Sequence, residues 1–218
     1  MTVQTNGVTL YYEKRGAGAP LILLHGNGED HSIFAPLAEK LAAHFTVYAI
    51  DSRNHGQSSH SDDCGYAAMT ADVEGFVQAL GLADVNLVGF SDGAIIGLML
   101  SMQKPQVLRK MVLLGVNLSP DDFTDESLQF IRDTYAETGD PLFKLMLEEP
   151  NIPLDDVRGV QTPTWLVAAE DDIFKPESFT RLAAAMPNAS FSVIEGHDHG
   201  SYVVGNDMLA AELIRFFE

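Results

Sequence analysis

The sequence predicts an α/β protein built on a mainly parallel, doubly wound sheet, and three observations carry the prediction. Short apolar runs bounded by turn residues recur along the chain: PLILLH, FTVYAID, VNLVGF, VLRKMVLLG, TPTWLVAAE and, more weakly, SFSVIEG. Strands buried on both faces read this way. Segments of helical periodicity separate them, and an alternation of strand and helix makes parallel neighbours joined by crossovers. With 218 residues and no compositional break, the chain 1–218 is expected to form a single domain.

The elements follow in order. TVQT and VTLYYEK form the first two strands, and Asn6-Gly7 between them suits a tight hairpin turn because both residues tolerate positive φ. The sheet therefore opens antiparallel. Ile33, Phe34, Leu37, Leu41 and Ala42 share one helical face; Tyr66, Met69, Val73, Phe76, Val77 and Leu80 share the next. Asp92 to Met102 is apolar nearly all round, as a helix packed centrally on a sheet is, and Leu182–Met186 and Leu209–Phe217 complete the set. One stretch breaks the rhythm. Around residues 118–160, two helical segments, DESLQFIRDTY and DPLFKLMLEE, stand where a strand is due, which predicts a small helical lid over the carboxyl edge of the sheet or a plain structural excursion.

Composition narrows the function classes. Thirteen basic against thirty-one acidic residues give a formal charge of −18, which repels phosphate backbones and anionic membrane surfaces. Neither nucleic acid nor membrane is an expected partner. The N-terminal stretch MTVQTNGVTLYYEKRG has no basic segment followed by an apolar one, and GAIIGLMLSM is too short to span a bilayer, so a cytoplasmic location is expected. Cys64, the single cysteine, lies in the polar loop SDDCGY and reads as a spare thiol.

The stretch VNLVGFSDGA holds Ser91 between Gly89 and Gly93, between a predicted strand and a predicted helix, which is the setting the G-x-S-x-G pattern requires of a nucleophile. A serine hydroxyl needs a base within hydrogen-bond reach and a carboxylate to orient that base. TWLVAAEDDIFKP supplies Glu170, Asp171 and Asp172 just past one strand, and SFSVIEGHDHGSY supplies His197 and His199 just past the last. Ligands in such sheets bind beyond the carboxyl ends of the strands, where both clusters fall. A competing reading gathers His197, Asp198 and His199 with the acidic cluster around a metal, since His-x-His puts both rings on one face of an extended segment; a full ligand set at metal spacing is missing. GFSDGA also lacks the G-x-G-x-x-G spacing of a dinucleotide site, so neither metal nor cofactor is expected.

At this point the chain resembles the α/β-hydrolase fold family along nearly its whole length. HGNGED (25–30) is similar to the family's oxyanion loop, DSRNHGQS (51–58) to its loop after the fourth strand, and GFSDG (89–93) to its nucleophile elbow. The resemblance implies a sheet of about eight strands with helices on both faces and a small helical lid. It selects Asp172, three residues after Ala169, with Asp171 as the alternative because the usual glycine is alanine here. It selects His199, three residues after Gly196, with His197 in reserve. It also assigns the oxyanion donors to the backbone N–H groups of Asn27 and Asp92, the latter at a helix start where the dipole favours an anion. His25 and His55 read as loop histidines that order backbone. Phe34, Phe90 and Phe123 are expected to line an apolar pocket.

The implied activity is hydrolysis of a small-molecule carboxylic ester through an acyl-enzyme on Ser91, with no cofactor. Thioesters, amides, lactones, carbon–carbon bonds and cofactor-free perhydrolysis use the same three residues, and a ligand-binding module on the same scaffold is the non-enzymatic alternative. Asp92 raises one more question: its carboxylate either favours the helix start or receives a cationic group of the substrate.

Overall fold

In the computed structural model, which describes all 218 residues, the Asn6-Gly7 turn joins β1 (Thr2–Thr5) to β2 (Val8–Arg15) as an antiparallel pair. The apolar runs become β3 (Ala19–Leu24), β4 (Phe45–Ile50), β5 (Val85–Phe90), β6 (Leu108–Leu114), β7 (Thr164–Asp171) and β8 (Ala189–Asp198). These eight strands make one sheet in the order β1-β2-β4-β3-β5-β6-β7-β8, parallel from β4 to β8. β5 is buried along its entire length, as its unbroken apolar run requires.

Helices cover both faces. α1 (Ala35–Leu41) and α8 (Ala210–Phe217) bury Leu37, Leu41, Leu213 and Phe217 against Leu21, Leu23, Val88 and Val112 on one side. On the other, α2 (Tyr66–Ala79), α3 (Asp92–Gln103) and α7 (Pro176–Ala185) pack Phe76, Val77, Ile96 and Leu182 against Ile22, Leu87 and Leu113. The helix marked in the sequence by Leu182–Met186 thus begins six residues earlier, at a proline suited to the first helical turn. Between β6 and β7 the chain makes α4 (Asp125–Thr138), α5 (Pro141–Glu148) and a single turn, α6 (Leu154–Val157). Thr124 and Asp140 cap α4 and α5 with their side-chain oxygens. The sequence pattern foreshadows α4 and α5 but not α6, whose four residues are too few to show a period. β8 reads weakly because it is an edge strand with much of its length exposed. No helix is long and apolar enough to cross a membrane.

The strand order places the functional loops. From β3 the chain moves outward to β4, then returns across β3 to β5, so the order reverses between β3 and β5 and leaves a crevice at their carboxyl ends. The loops after β3 and β5 both open there. The loop after β4 is pinned beside them by a buried ion pair: Arg53 donates to both Asp72 oxygens at 2.6 Å, with both side chains almost fully buried. Removing one member leaves an unpaired buried charge. Asp72→Ala is therefore expected to cost about 3 kcal/mol of unfolding free energy in urea titration, against less than about 1 kcal/mol for Asp155→Ala at the exposed Arg158 pair.

Candidate active site

The turn from β5 to α3 is a single residue. Ser91 adopts φ 51°, ψ −114°, a conformation that non-glycine residues avoid. It is held there by its own N–H on Leu114 O (2.8 Å) and by the Gly93 N–H on His25 O (3.1 Å). Strand and helix approach so closely that a β-carbon on Gly89 would overlap Gly93 O, and one on Gly93 would overlap Leu24 O. The glycines of GFSDG therefore make room for the turn, and the turn presents the Ser91 hydroxyl at the sheet's edge.

β7 and β8 deliver the partners. His199 Nδ1 lies 2.8 Å from Asp172 Oδ1, and His199 Nε2 lies 3.1 Å from Ser91 Oγ. Facing a carboxylate, Nδ1 carries the proton and donates, which leaves Nε2 to accept from the serine hydroxyl. Asp172 is fixed in turn by the Ala169 N–H on Oδ2 (3.0 Å) and the Phe174 N–H on Oδ1 (3.3 Å). The His199 ring stands between Phe90 (centroids 4.9 Å apart) and Phe174 (5.3 Å, edge-on). Asp171 ends β7 exposed, and His197 Nδ1 is engaged by Ser201 Oγ at 3.0 Å. The geometry thus brings together Ser91, His199 and Asp172, and leaves the alternatives Asp171 and His197 outside. It also uses both His199 nitrogens, which leaves none for a metal in the grouping the sequence raised.

The loop after β3 faces the serine. His25 donates from Nδ1 to Gly26 O (2.7 Å) and accepts the Ser52 N–H at Nε2 (3.0 Å); burial pushes its pKa down to about 4, so it stays neutral. His55 donates to Arg53 O (2.8 Å) and accepts the Gly28 N–H (3.1 Å), and burial lowers its pKa too. The two rings thus tie the loops after β3 and β4 together. The Asn27 N–H has no protein acceptor, and the Asp92 N–H, at the first position of α3, has no intrahelical one. Both N–H groups are thus left without a backbone acceptor beside Ser91. Asn27 Nδ2 reaches across to Leu142 O on α5 (3.1 Å), which joins the helical excursion to the loop.

Two carboxylates border the serine. Asp92 is buried: Oδ1 accepts the Tyr66 hydroxyl at 2.8 Å, Oδ2 has no partner at hydrogen-bond distance, and burial raises its pKa to about 6 against the lowering pull of the Tyr66 hydroxyl and the nearby Asn27 side chain. Glu29 Oε2 accepts the Gly26 N–H at 2.9 Å, and burial raises its pKa as well.

A sequence model of the alpha/beta hydrolase fold matches residues 19–149. The chain belongs to the α/β-hydrolase fold family. The chain is 36% identical over 99 residues to the mouse (Mus musculus) sn-1-specific diacylglycerol lipase ABHD11, a stretch of 44% of this chain and 32% of the lipase. It is 25% identical over 251 aligned residues to a putative carbamate hydrolase, RutD, of Azorhizobium caulinodans, covering 95% of this chain and 94% of that one. Among solved structures, the meta-cleavage product hydrolase CumD of Pseudomonas fluorescens IP01 superposes with a TM-score of 0.83 over 100% of this chain and 97% of its own, at 19% identity, a likeness of fold.

Within this α/β-hydrolase, the expected pocket phenylalanines separate. Phe90 and Phe123 are buried near the site, Phe123 through Phe174 (centroids 4.7 Å apart). Phe34 departs from the expectation: it has no exposed surface to offer a ligand and lies, just before α1, in the same buried cluster as Leu37, Leu41 and Phe45, as its place on the apolar face of that segment requires. Three residues escaped sequence reasoning. Tyr66 was assigned to the core face of α2; its ring is there, but its hydroxyl reaches Asp92. Glu29 stood in HGNGED without an assigned role. Gly115 closes β6 at φ 60°, beneath the His199 ring, and a terminal glycine on a strand in this sheet was the available signal.

A β-carbon at Gly115 would sit 2.5 Å from His199 Cε1, so Gly115→Ala is expected to displace the imidazole and lower kcat/KM about 100-fold while far-ultraviolet circular dichroism stays that of the wild type. Asp92 gives a pH-dependent stability. Its folded pKa of about 6 stands above the unfolded value near 3.8, so its burial cost grows as pH rises through 6. Asp92→Asn should therefore be more stable than wild type, by a margin that widens by about 1 kcal/mol between pH 5 and pH 8 in urea titrations. A margin constant with pH would contradict it.

Proposed function

We propose that this α/β-hydrolase cleaves small-molecule carboxylic esters through an acyl-enzyme on Ser91. The observation that carries the reading is the unbroken line Ser91 Oγ, His199 Nε2, His199 Nδ1, Asp172 Oδ1, at 3.1 and 2.8 Å, with two open backbone N–H groups beside the serine. His199 takes the serine proton as Oγ adds to the acyl carbonyl, and Asp172 stabilises the imidazolium so formed. The Asn27 and Asp92 amides receive the oxyanion. Collapse expels the alcohol, which His199 protonates. Water then adds to the acyl-enzyme with His199 again as base, the acid departs, and the serine recovers its proton.

The ester preference is supported by the lipase relative, whose name specifies an ester. The helices α4 and α5 serve as the lid. The start of α5, tied to Asn27 through Leu142 O, borders an open groove of about 640 Å³ that also takes in Asn54, His60, Asp62 and Cys64 and lies beside Ser91, His199 and Asp172 without being lined by them. Phe90 packs on the His199 ring and Phe123 on Phe174, so both back the base with apolar bulk.

The test is steady-state hydrolysis of p-nitrophenyl esters of increasing acyl length by wild type, Ser91→Ala and His199→Ala. Turnover by wild type with loss of about 10⁴-fold or more in kcat for each variant is expected. Turnover that survives Ser91→Ala would contradict the assignment, as would a wild type inert toward every ester.

A further inference from the structure

The helix start at Asp92 accounts for one carboxylate near the serine, but the site holds two. A β-carbon built on Gly26 would lie 2.9 Å from Glu29 Oε2 and 3.1 Å from Ser91 Cβ, so the Glu29 carboxylate and the nucleophile flank the same glycine. Asp92 follows Ser91 directly, is 6% exposed, and has one buried oxygen, Oδ2, with no partner in the protein. Glu29 pushes the Asp92 pKa up, and both acids feel His199. An anion in the same space would meet both.

No cation answers them. Arg53 and Lys144 approach the neighbouring groove at Cys64, but Arg53 is locked onto Asp72 and Lys144 is paired with Glu148 at 3.6 Å. The groove itself adds Asp62 and Asp140. Asp92 is buried and Glu29 partly buried, so their charges are screened less than those of the exposed acids on the surface. Carboxylates so placed attract a cationic group of the substrate and repel an anionic one.

Resting on the ester-hydrolase reading above, we infer that the site selects substrates by charge: Glu29 and Asp92 favour an acyl group bearing a cationic nitrogen, accept a neutral one, and turn away one bearing a carboxylate. Asp92, next to Ser91 in the chain, supplies one negative charge, and Glu29, which shares Gly26 with the serine, supplies the second. They are specificity-determining residues, and neither takes part in proton transfer.

Three p-nitrophenyl esters test this at pH 8, with background hydrolysis subtracted: 4-trimethylammoniobutyrate, its neutral isostere 5,5-dimethylhexanoate, and the monoanionic glutarate. Wild type should show kcat/KM falling in that order, with the cationic ester at least about tenfold above the anionic one, and the ratio should shrink when salt is raised from 0.02 to 0.5 M. Glu29→Gln, which keeps an acceptor for the Gly26 N–H, should raise glutarate turnover relative to the neutral ester about threefold or more. Asp92→Asn, which keeps an acceptor for Tyr66, should erase most of the preference for the cation. A general loss of packing would lower all three rates together and leave these ratios unmoved. Equal kcat/KM for the cationic and anionic esters in wild type would overturn the inference while leaving ester hydrolysis intact, as would ratios unchanged in Glu29→Gln. A wild type that turns over none of the three would overturn the hydrolase reading and this inference with it.

Discussion

The site depends on one residue of backbone held where backbone does not rest. Ser91 joins β5 to α3 at φ 51°, and the turn survives because its surroundings leave no other path: β5 is buried on both faces, α3 packs directly on it, and two glycines let them meet. The Ser91 and Gly93 amides are bound to the ends of β6 and β3. Strain at the elbow is thus balanced by the most buried part of the sheet, and the hydroxyl's position follows from the fold rather than from the flexibility of a loop.

From that fixed point the remaining parts follow by topology. The reversal of strand order between β3 and β5 sets the oxyanion loop beside the serine, while the parallel run through β6 and β7 to β8 brings acid and base to the same edge. Each strand contributes at its carboxyl end: Gly26 and Asn27 after β3, Ser91 after β5, Gly115 after β6, Asp172 after β7 and His199 after β8. The histidines divide by environment. Burial lowers the pKa of His25 and His55, which spend both nitrogens on backbone, whereas His199 spends one on the Asp172 carboxylate and one on the Ser91 hydroxyl.

Much of this was legible in the sequence for a physical reason. Buried parallel strands must be apolar throughout, so their ends are visible, and residues that do chemistry in this architecture sit at those ends. The choice of Asp172 over Asp171 and of His199 over His197 rests on family spacing, and in the structure it is Asp172 and His199 that meet each other and Ser91. What was not legible is what depends on direction. Phe34 shares its helical face with core leucines, and nothing in its spacing says whether that face looks at sheet or pocket. Tyr66 carries an apolar ring and a polar tip, and only the packed structure shows the tip meeting Asp92. Glu29 could be read as one more solvated acid in a chain of thirty-one acidic residues until its oxygen was found on the Gly26 amide.

The central claim is that Ser91 carries the acyl group. Its most direct test is acid-quenching of the enzyme during turnover of a p-nitrophenyl ester, followed by peptide mass mapping. The account predicts a mass increase equal to the acyl group on the peptide containing Ser91, together with a burst of p-nitrophenolate matching the enzyme concentration. An acyl group found on another residue, or turnover with neither burst nor adduct, would contradict it.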